Sequence, residues 1–168
     1  ALLYQDGLAR FGTQKYDANV DLSNLYAHLT NTSINKFSST CNTKKDVIGS
    51  GCKWDFHQLR EWATSAGIDW AFLWARIRHT LSLTLLLAAP VARQHPQCFE
   101  LFGFDIIVDE KLKPWLLEVN AGPVIKPTEM PMIRGMMQKV LVKGRGRHKH
   151  EEGDWLEVPL NINTASGE

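Results

Sequence analysis

Two carboxylates and an amide interrupt apolar runs in the segment "GFDIIVDEKLKPWLLEVNAGP", residues 103–123: Asp105, Glu118 and Asn120. Side chains alternate faces along a strand. If "FGFDIIV" and "WLLEV" pair as an antiparallel hairpin around "DEKLKP", with Val108 opposite Trp115, then Asp105 falls opposite Glu118. One face then collects Phe104, Ile106, Val108, Trp115, Leu117 and Val119, a core surface. The other carries Gly103, Asp105, Ile107, Leu116, Glu118 and Asn120. Cross-strand neighbours stand about 5 Å apart at Cβ, and two carboxylates that close repel unless a cation lies between them. A hard cation that takes oxygen ligands fits, Mg²⁺ bridging to phosphates above all. The competing reading is a solvated outer face. A one-residue slip in register would remove the convergence.

Other elements frame this hairpin. "ALLYQDGLARF" predicts a first hairpin turning at Asp6-Gly7. Residues 12–27 read as loop, 26–36 as a weak strand running into a loop, and 38–53 as a mobile polar loop. Asp55 and Gly67 bracket a short helix. Asp69 caps a longer one to about Ala89, with Trp70, Leu73, Trp74, Ile77, Leu81 and Leu85 on its apolar stripe and Pro90 ending it. "MPMIRGMMQKVLV" predicts a helix broken at Gly135, and residues 143–168 a basic, flexible tail.

Composition narrows the class. The 168 residues are 44% apolar and 22% charged, with a net charge of +1. They suffice for one folded domain, expected over residues 1–142, and give no global argument for nucleic-acid or membrane partners. "LLLAAPVA" is too short to span a bilayer. Cys41, Cys52 and Cys98, an odd set without paired spacing, argue against a disulfide framework or zinc site. Basic residues from Arg134 to Lys149 lack intervening acids, which offers either attraction to acidic peptides or a solvated tail.

The segments "YQDGLARFGTQKYD", "AHLTNTSINK", "GCKW" and "CFELFGFDIIVDEKLKPWLLEVN" are similar, in this order, to the tubulin tyrosine ligase-like family, and "HLTNTSINK" and "KPWLLEVN" resemble its polyglutamylase members. The resemblance implies an α+β, ATP-grasp-like fold, an antiparallel sheet with packed helices, incomplete at the N-terminus. It implies an ATP-dependent ligase that adds free L-glutamate to glutamate side chains of tubulin's acidic C-terminal tails through an acyl-phosphate. Its cofactors would be ATP and Mg²⁺. Asp105, Glu118 and Asn120 match the family's magnesium ligands. Thr30 and Asn31 match nucleotide-contacting positions, and Lys36 ends that motif facing phosphate or an acidic substrate. Arg10 matches a catalytic-cleft arginine near the incoming carboxylate or the γ-phosphate. His28 and Lys53 sit in matching segments without an assigned role. The implied setting is the cytoplasmic cytoskeleton, with cilium and basal body as candidate places.

Beyond Asn120 the chain departs from that family: "AGPVIKPTEMPMIRGMMQKV" replaces the expected turn and closing helix, and residues 144–168 have no counterpart. The upstream nucleotide-binding elements are expected outside this chain. The alternative function is therefore a non-catalytic module that binds tubulin tails.

Overall fold

A computed structural model describes residues 1–17, 19, 21–38, 52–90, 98–125, 129–142 and 155–158. These form strands β1 (Leu2–Tyr4), β2 (Leu8–Arg10), β3 (Lys53–Asp55), β4 (Phe102–Val108), β5 (Pro114–Ala121) and β6 (Trp155–Glu157). The helices are α1 (Leu25–His28), α2 (Thr32–Asn35), α3 (Phe56–Ser65), α4 (Trp70–Ala88) and α5 (Met130–Val142). Helices and antiparallel strands are thus mixed, as expected. Among the described residues the strands make three two-stranded ribbons, β1–β6, β2–β3 and β4–β5. The chain divides into one unit of Asp6–Ile68 and another of Ala1–Gln5 with Asp69–Glu168.

In the Asp6–Ile68 unit, Asp6-Gly7 does not close the expected hairpin, because β1 and β2 join different ribbons. Asp6 Oδ1 instead accepts from its neighbour Gly7 N–H at 2.7 Å and from Phe56 N–H at 3.3 Å. This ties the turn to the start of α3. A Cβ on Gly7 would stand 2.7 Å from the Phe56 ring, so close approach is what demands glycine there. α3 forms as its sequence predicts. Asp55 Oδ1 accepts from Gln58 N–H at 2.8 Å, and Gln58 Oε1 accepts from Asp55 N–H at 3.2 Å. This reciprocal cap satisfies two otherwise orphaned donors. Gly67, at φ +75°, ends the segment. Phe11, Trp54 and Trp62 pack in sequence, with ring centroids 4.8 and 6.1 Å apart.

In place of a strand, residues 26–36 carry the end of α1 and the whole of α2, joined through extended Leu29 and Asn31. The reason is Asn35, which is fully buried. Its Oδ1 accepts from Thr13 N–H at 3.0 Å and Thr13 Oγ1 at 2.9 Å. Its Nδ2 donates to the Leu29 and Asn31 carbonyls at 2.7 and 3.2 Å. Four hydrogen bonds to one side chain reward the turn that places Asn35 one helical turn after Asn31, and they override a weak strand preference. The mobile loop expected over 38–53 lies mostly outside the described residues, as does Cys41. Cys52 is described, buried and free of a disulfide.

The other unit is built on α4, capped as expected by Asp69, whose Oδ1 accepts from Phe72 N–H at 3.0 Å. Leu73 and Leu81 are buried in its core, with Met136 of α5 and Val158. α4 lies against β5. α5 runs unbroken through Gly135, contrary to expectation. A Cβ there would come 3.1 Å from Trp155 Nε1, so this glycine makes room for an indole instead of ending a helix. Trp155 also packs on Tyr4, with centroids 5.1 Å apart. Within the stretch expected as a tail, Trp155–Glu157 forms an ordered strand paired with Leu2–Tyr4. The rest of that stretch lies outside the described residues.

Candidate functional site

The β4–β5 hairpin is organised by its turn. Asp109 Oδ1 accepts from Lys111 N–H and Lys113 N–H, both at 2.9 Å, and Oδ2 accepts from Trp115 Nε1 at 3.0 Å. Leu112 takes the left-handed conformation, φ +56°, that closes the five-residue loop. The Trp115 indole donor, then the Lys113 and Lys111 amides, hold the Asp109 carboxyl below its ordinary range. Lys113 Nζ stands 3.6 Å from the Trp115 ring centroid.

The register near the turn differs from expectation by one residue. Val108 pairs with Pro114, Ile107 with Trp115 and Ile106 with Leu116. A bulge between Asp105 and Ile106 leaves Leu117 without a direct partner, and from there the predicted pairing resumes, Asp105 with Glu118, Phe104 with Val119 and Gly103 with Asn120. A bulge inserts one residue and flips the faces beyond it. The expected core face therefore does not form as written. Trp115 and Leu117 are 49% and 63% exposed, while Pro114 is buried and Leu116 half-buried.

The carboxylate pairing survives because the bulge lies on the turn side of it. Asp105 and Glu118 face each other directly, and Asn120, two residues on and so on the same face, donates Nδ2 to Glu118 Oε1 at 3.2 Å. All three are solvent-exposed. Gly103 lies opposite Asn120, and Pro123 packs over it, 3.3 Å from where a Cβ would stand. Among the described residues no three His, Cys, Asp or Glu side chains gather as a metal-holding group. Two acids and an amide fall short of that count, but their oxygens are the hard donors that Mg²⁺ takes while keeping water and phosphate ligands.

The remaining candidates lie in the Asp6–Ile68 unit. Asn31 occupies the N-cap position of α2, yet its side chain makes no cap hydrogen bond. Its amide and the Thr30 hydroxyl are exposed and adjacent. Asn35 ties the carbonyls on both sides of Thr30, at Leu29 and Asn31, and so fixes the backbone that presents this pair. Lys36 is exposed, its Nζ 4.8 Å from the Phe37 ring centroid. His28 is half-buried edge-on to Tyr16 at 5.6 Å, and its Nε2 has no hydrogen-bond partner among the described residues. Arg10 ends β2 directly opposite Lys53. The sequence reading passed over Asn35 and Thr13. The available signal was the spacing of Asn35 four residues after Asn31, which returns its amide to that residue's carbonyl on a helix.

An open cleft of about 350 Å³ among the described residues is lined by Phe72, Ala75, Arg76, His79, Thr80, Lys113 and Pro114 and contains none of these candidates. No helix among the described residues is long and apolar enough to cross a membrane.

The HLTN segment and the facing acid–acid–amide set are carried on a chain whose residues 1–144 match the profile of the Tubulin-tyrosine ligase family. The chain belongs to that family. It is similar to the human protein named "Probable tubulin polyglutamylase TTLL2", 48% identical over 123 residues covering 73% of this chain and 21% of that protein. It is similar to the Xenopus tropicalis "Tubulin polyglutamylase TTLL7", 40% identical over 136 residues covering 72% of this chain and 15% of that one. The mouse "Tubulin monoglutamylase TTLL4" is 35% identical over 157 residues, 86% of this chain and 13% of that protein. The chain thus spans about a fifth or less of the length of these curated relatives.

Proposed function

We propose that this chain is part of an ATP-dependent ligase that joins free L-glutamate to glutamate side chains in the acidic C-terminal tails of tubulin. The observation that carries the reading is the Asp105–Glu118 pair with Asn120 beside it, on a member of a family whose similar relatives are named tubulin polyglutamylases and monoglutamylase. Two carboxylates set directly opposite each other at a solvent-exposed position suit a divalent cation that takes oxygen ligands.

Asp105, Glu118 and Asn120 would hold Mg²⁺. When bound, the ion offsets the negative charge of nucleotide phosphates. Thr30 and Asn31 offer an exposed hydroxyl and amide to the nucleotide, and Lys36 a flexible cation to phosphate or to an acidic peptide. Arg10 offers a planar fork suited to a carboxylate or phosphate. In the reaction proposed, an oxygen of the tail glutamate's γ-carboxylate bonds to the γ-phosphorus of ATP and ADP leaves. The amine of free glutamate then bonds to the acyl carbon, the carbon–oxygen bond to phosphate breaks, and the amine gives up its proton. Positioning of polyanions, not covalent chemistry by side chains, is the protein's task. The place of action would be cytoplasmic microtubules, including those of cilia and basal bodies.

The test is MgATP-dependent transfer of labelled glutamate to microtubules by the complete protein that contains this chain, with microtubules stripped of their C-terminal tails as control. Incorporation that requires the tails is expected. Tail binding without incorporation would replace the ligase by a binding module.

A further inference from the structure

The open cleft between α4 and the turn end of the β4–β5 hairpin is one-sided in charge. Arg76 and His79 line it from α4 and Lys113 from the hairpin, beside Phe72, Ala75 and Pro114. No carboxylate among the described residues lines it, neither Asp109 nor Glu110 of the adjoining turn. α4 carries no acidic residue from Trp70 to Ala88, so Arg76 has no carboxylate three or four positions away on its own helix. The Asp109 oxygens accept from the Lys111 and Lys113 amides and from Trp115 Nε1. Among the described residues Arg76, His79 and Lys113 make no ion pair.

The cationic side of the cleft is braced. Arg76 Nη1 donates to the Lys111 carbonyl at 3.3 Å, and the guanidinium carbon stands 5.4 Å from the Phe72 ring centroid. That uses one of five N–H donors and leaves the others to a ligand. Phe72 is 53% exposed and Pro114 is buried, so apolar surface lies beside the charge. The cleft does not share a face with the candidate magnesium ligands. Pro114 pairs with Val108 and Glu118 with Asp105, and the inserted residue is on β5. Val108 and Asp105 are three positions apart on β4 and therefore point to opposite faces.

The basic groups are strung out and not gathered on one point. Arg76 and His79 are three residues apart on α4, about 4.5 Å of rise, and Lys113 lies across the cleft on the hairpin. A single phosphate draws its donors to one centre, whereas consecutive glutamate side chains present carboxylates at intervals, on methylene stems that suit Phe72 and Pro114. We propose that this cleft anchors a glutamate-rich, extended peptide segment, the part of an acidic tail that is not being modified. The identity of that peptide rests on the ligase reading above. Lying on the other face from Asp105 and Glu118, the cleft acts on binding of the acceptor and not on the transfer step.

The test uses Arg76→Gln and Ala75→Glu in the complete protein. Arg76→Gln removes the braced cation. Ala75→Glu sets a carboxylate in the cleft from an exposed helical position. Binding of a fluorescent glutamate-rich peptide, and of the same peptide with glutamine at every glutamate, is read by anisotropy without nucleotide, alongside KM for microtubules and for ATP. Loss of one charge-assisted contact at a partly exposed site predicts that each variant weakens binding of the glutamate peptide roughly 5- to 30-fold. KM for microtubules rises by a similar factor, with KM for ATP and kcat unchanged. Wild-type protein that shows no preference for the glutamate peptide overturns the site, as do variants that bind that peptide like wild type. A rise in KM for ATP with peptide binding intact also overturns it and identifies a phosphate site instead. If the wild-type protein transfers no glutamate to tubulin, the ligase reading fails, and the anisotropy arm still decides the cleft. If transfer proceeds and neither variant alters peptide binding, the cleft fails and the ligase reading stands.

Discussion

Replacing Asn35 by alanine removes one acceptor and one donating amide from a fully buried position, and the cost can be worked bond by bond. Thr13 N–H and Oγ1–H lose the Oδ1 they share at 3.0 and 2.9 Å, and Thr13 is only 8% exposed. A buried donor left without a partner costs about 1–3 kcal/mol, and the hydroxyl recovers part of this by rotating. The Leu29 and Asn31 carbonyls belong to exposed residues and regain water, so they add little. The total is roughly 2–4 kcal/mol. Because the chain has two units, a single unfolding midpoint is a poor measure. Native-state amide exchange at Thr13 reads the local opening energy directly, and its protection should fall roughly 30- to 1000-fold. Asn35→Asp keeps Oδ1 for Thr13 but sets a second oxygen against two carbonyls, so it should not rescue. Thr13 protection in Asn35→Ala within threefold of wild type would refute the view that this amide fixes the Thr30–Asn31 backbone.

Four further outcomes follow from local geometry. Asp55→Ala should lower the local stability of α3 by about 1 kcal/mol, read as lost amide-exchange protection in its first turn, because the Asp55 carboxylate that accepts from Gln58 N–H is gone while the backbone N–H that donates to Gln58 Oε1 remains. Gly67→Ala should cost about 1–2 kcal/mol from its φ of +75° alone, since nothing lies within 4 Å of the new Cβ. Gly7→Ala should cost about 1–3 kcal/mol by overpacking, since its Cβ would meet the Phe56 ring at 2.7 Å, and calorimetry of both variants checks the pair. Asp109 has a depressed folded pKa, so its share of hairpin stability is complete above the ordinary value of 3.8 and is lost as pH falls from there through the folded value. The Trp115 indole N–H resonance should report that loss below pH 3.8, and Asp109→Asn should remove the pH dependence.

What could be read from the sequence was whatever a few neighbouring residues decide. Asp55 before α3 with Gly67 after it, and Asp69 ahead of the apolar stripe of α4, fix two helices locally. The facing of Asp105 and Glu118 was expected from strand alternation, and it holds because the bulge offsets the one-residue shift at the turn. The bulge at Leu117 was not, since an inserted residue leaves no mark in an apolar run, and so Trp115 and Leu117 were assigned to the wrong face. Asp6-Gly7 misled for the opposite reason. A local turn signal was outcompeted by long-range contact with Phe56, fifty positions away. Gly135 shows the same limit: its glycine serves the Trp155 indole, a partner twenty residues downstream that no helix rule anticipates.

The central claim is that Asp105, Glu118 and Asn120 serve glutamate transfer and do not merely decorate a solvated face. Glu118→Gln tests it with one changed atom and no added bulk. This variant of the complete protein should lose MgATP-dependent incorporation of labelled glutamate into microtubules down to background. Its circular-dichroism spectrum without magnesium should match wild type, because the substitution adds no bulk to an exposed position. Incorporation retained near the wild-type rate, with the fold intact, would contradict the assignment.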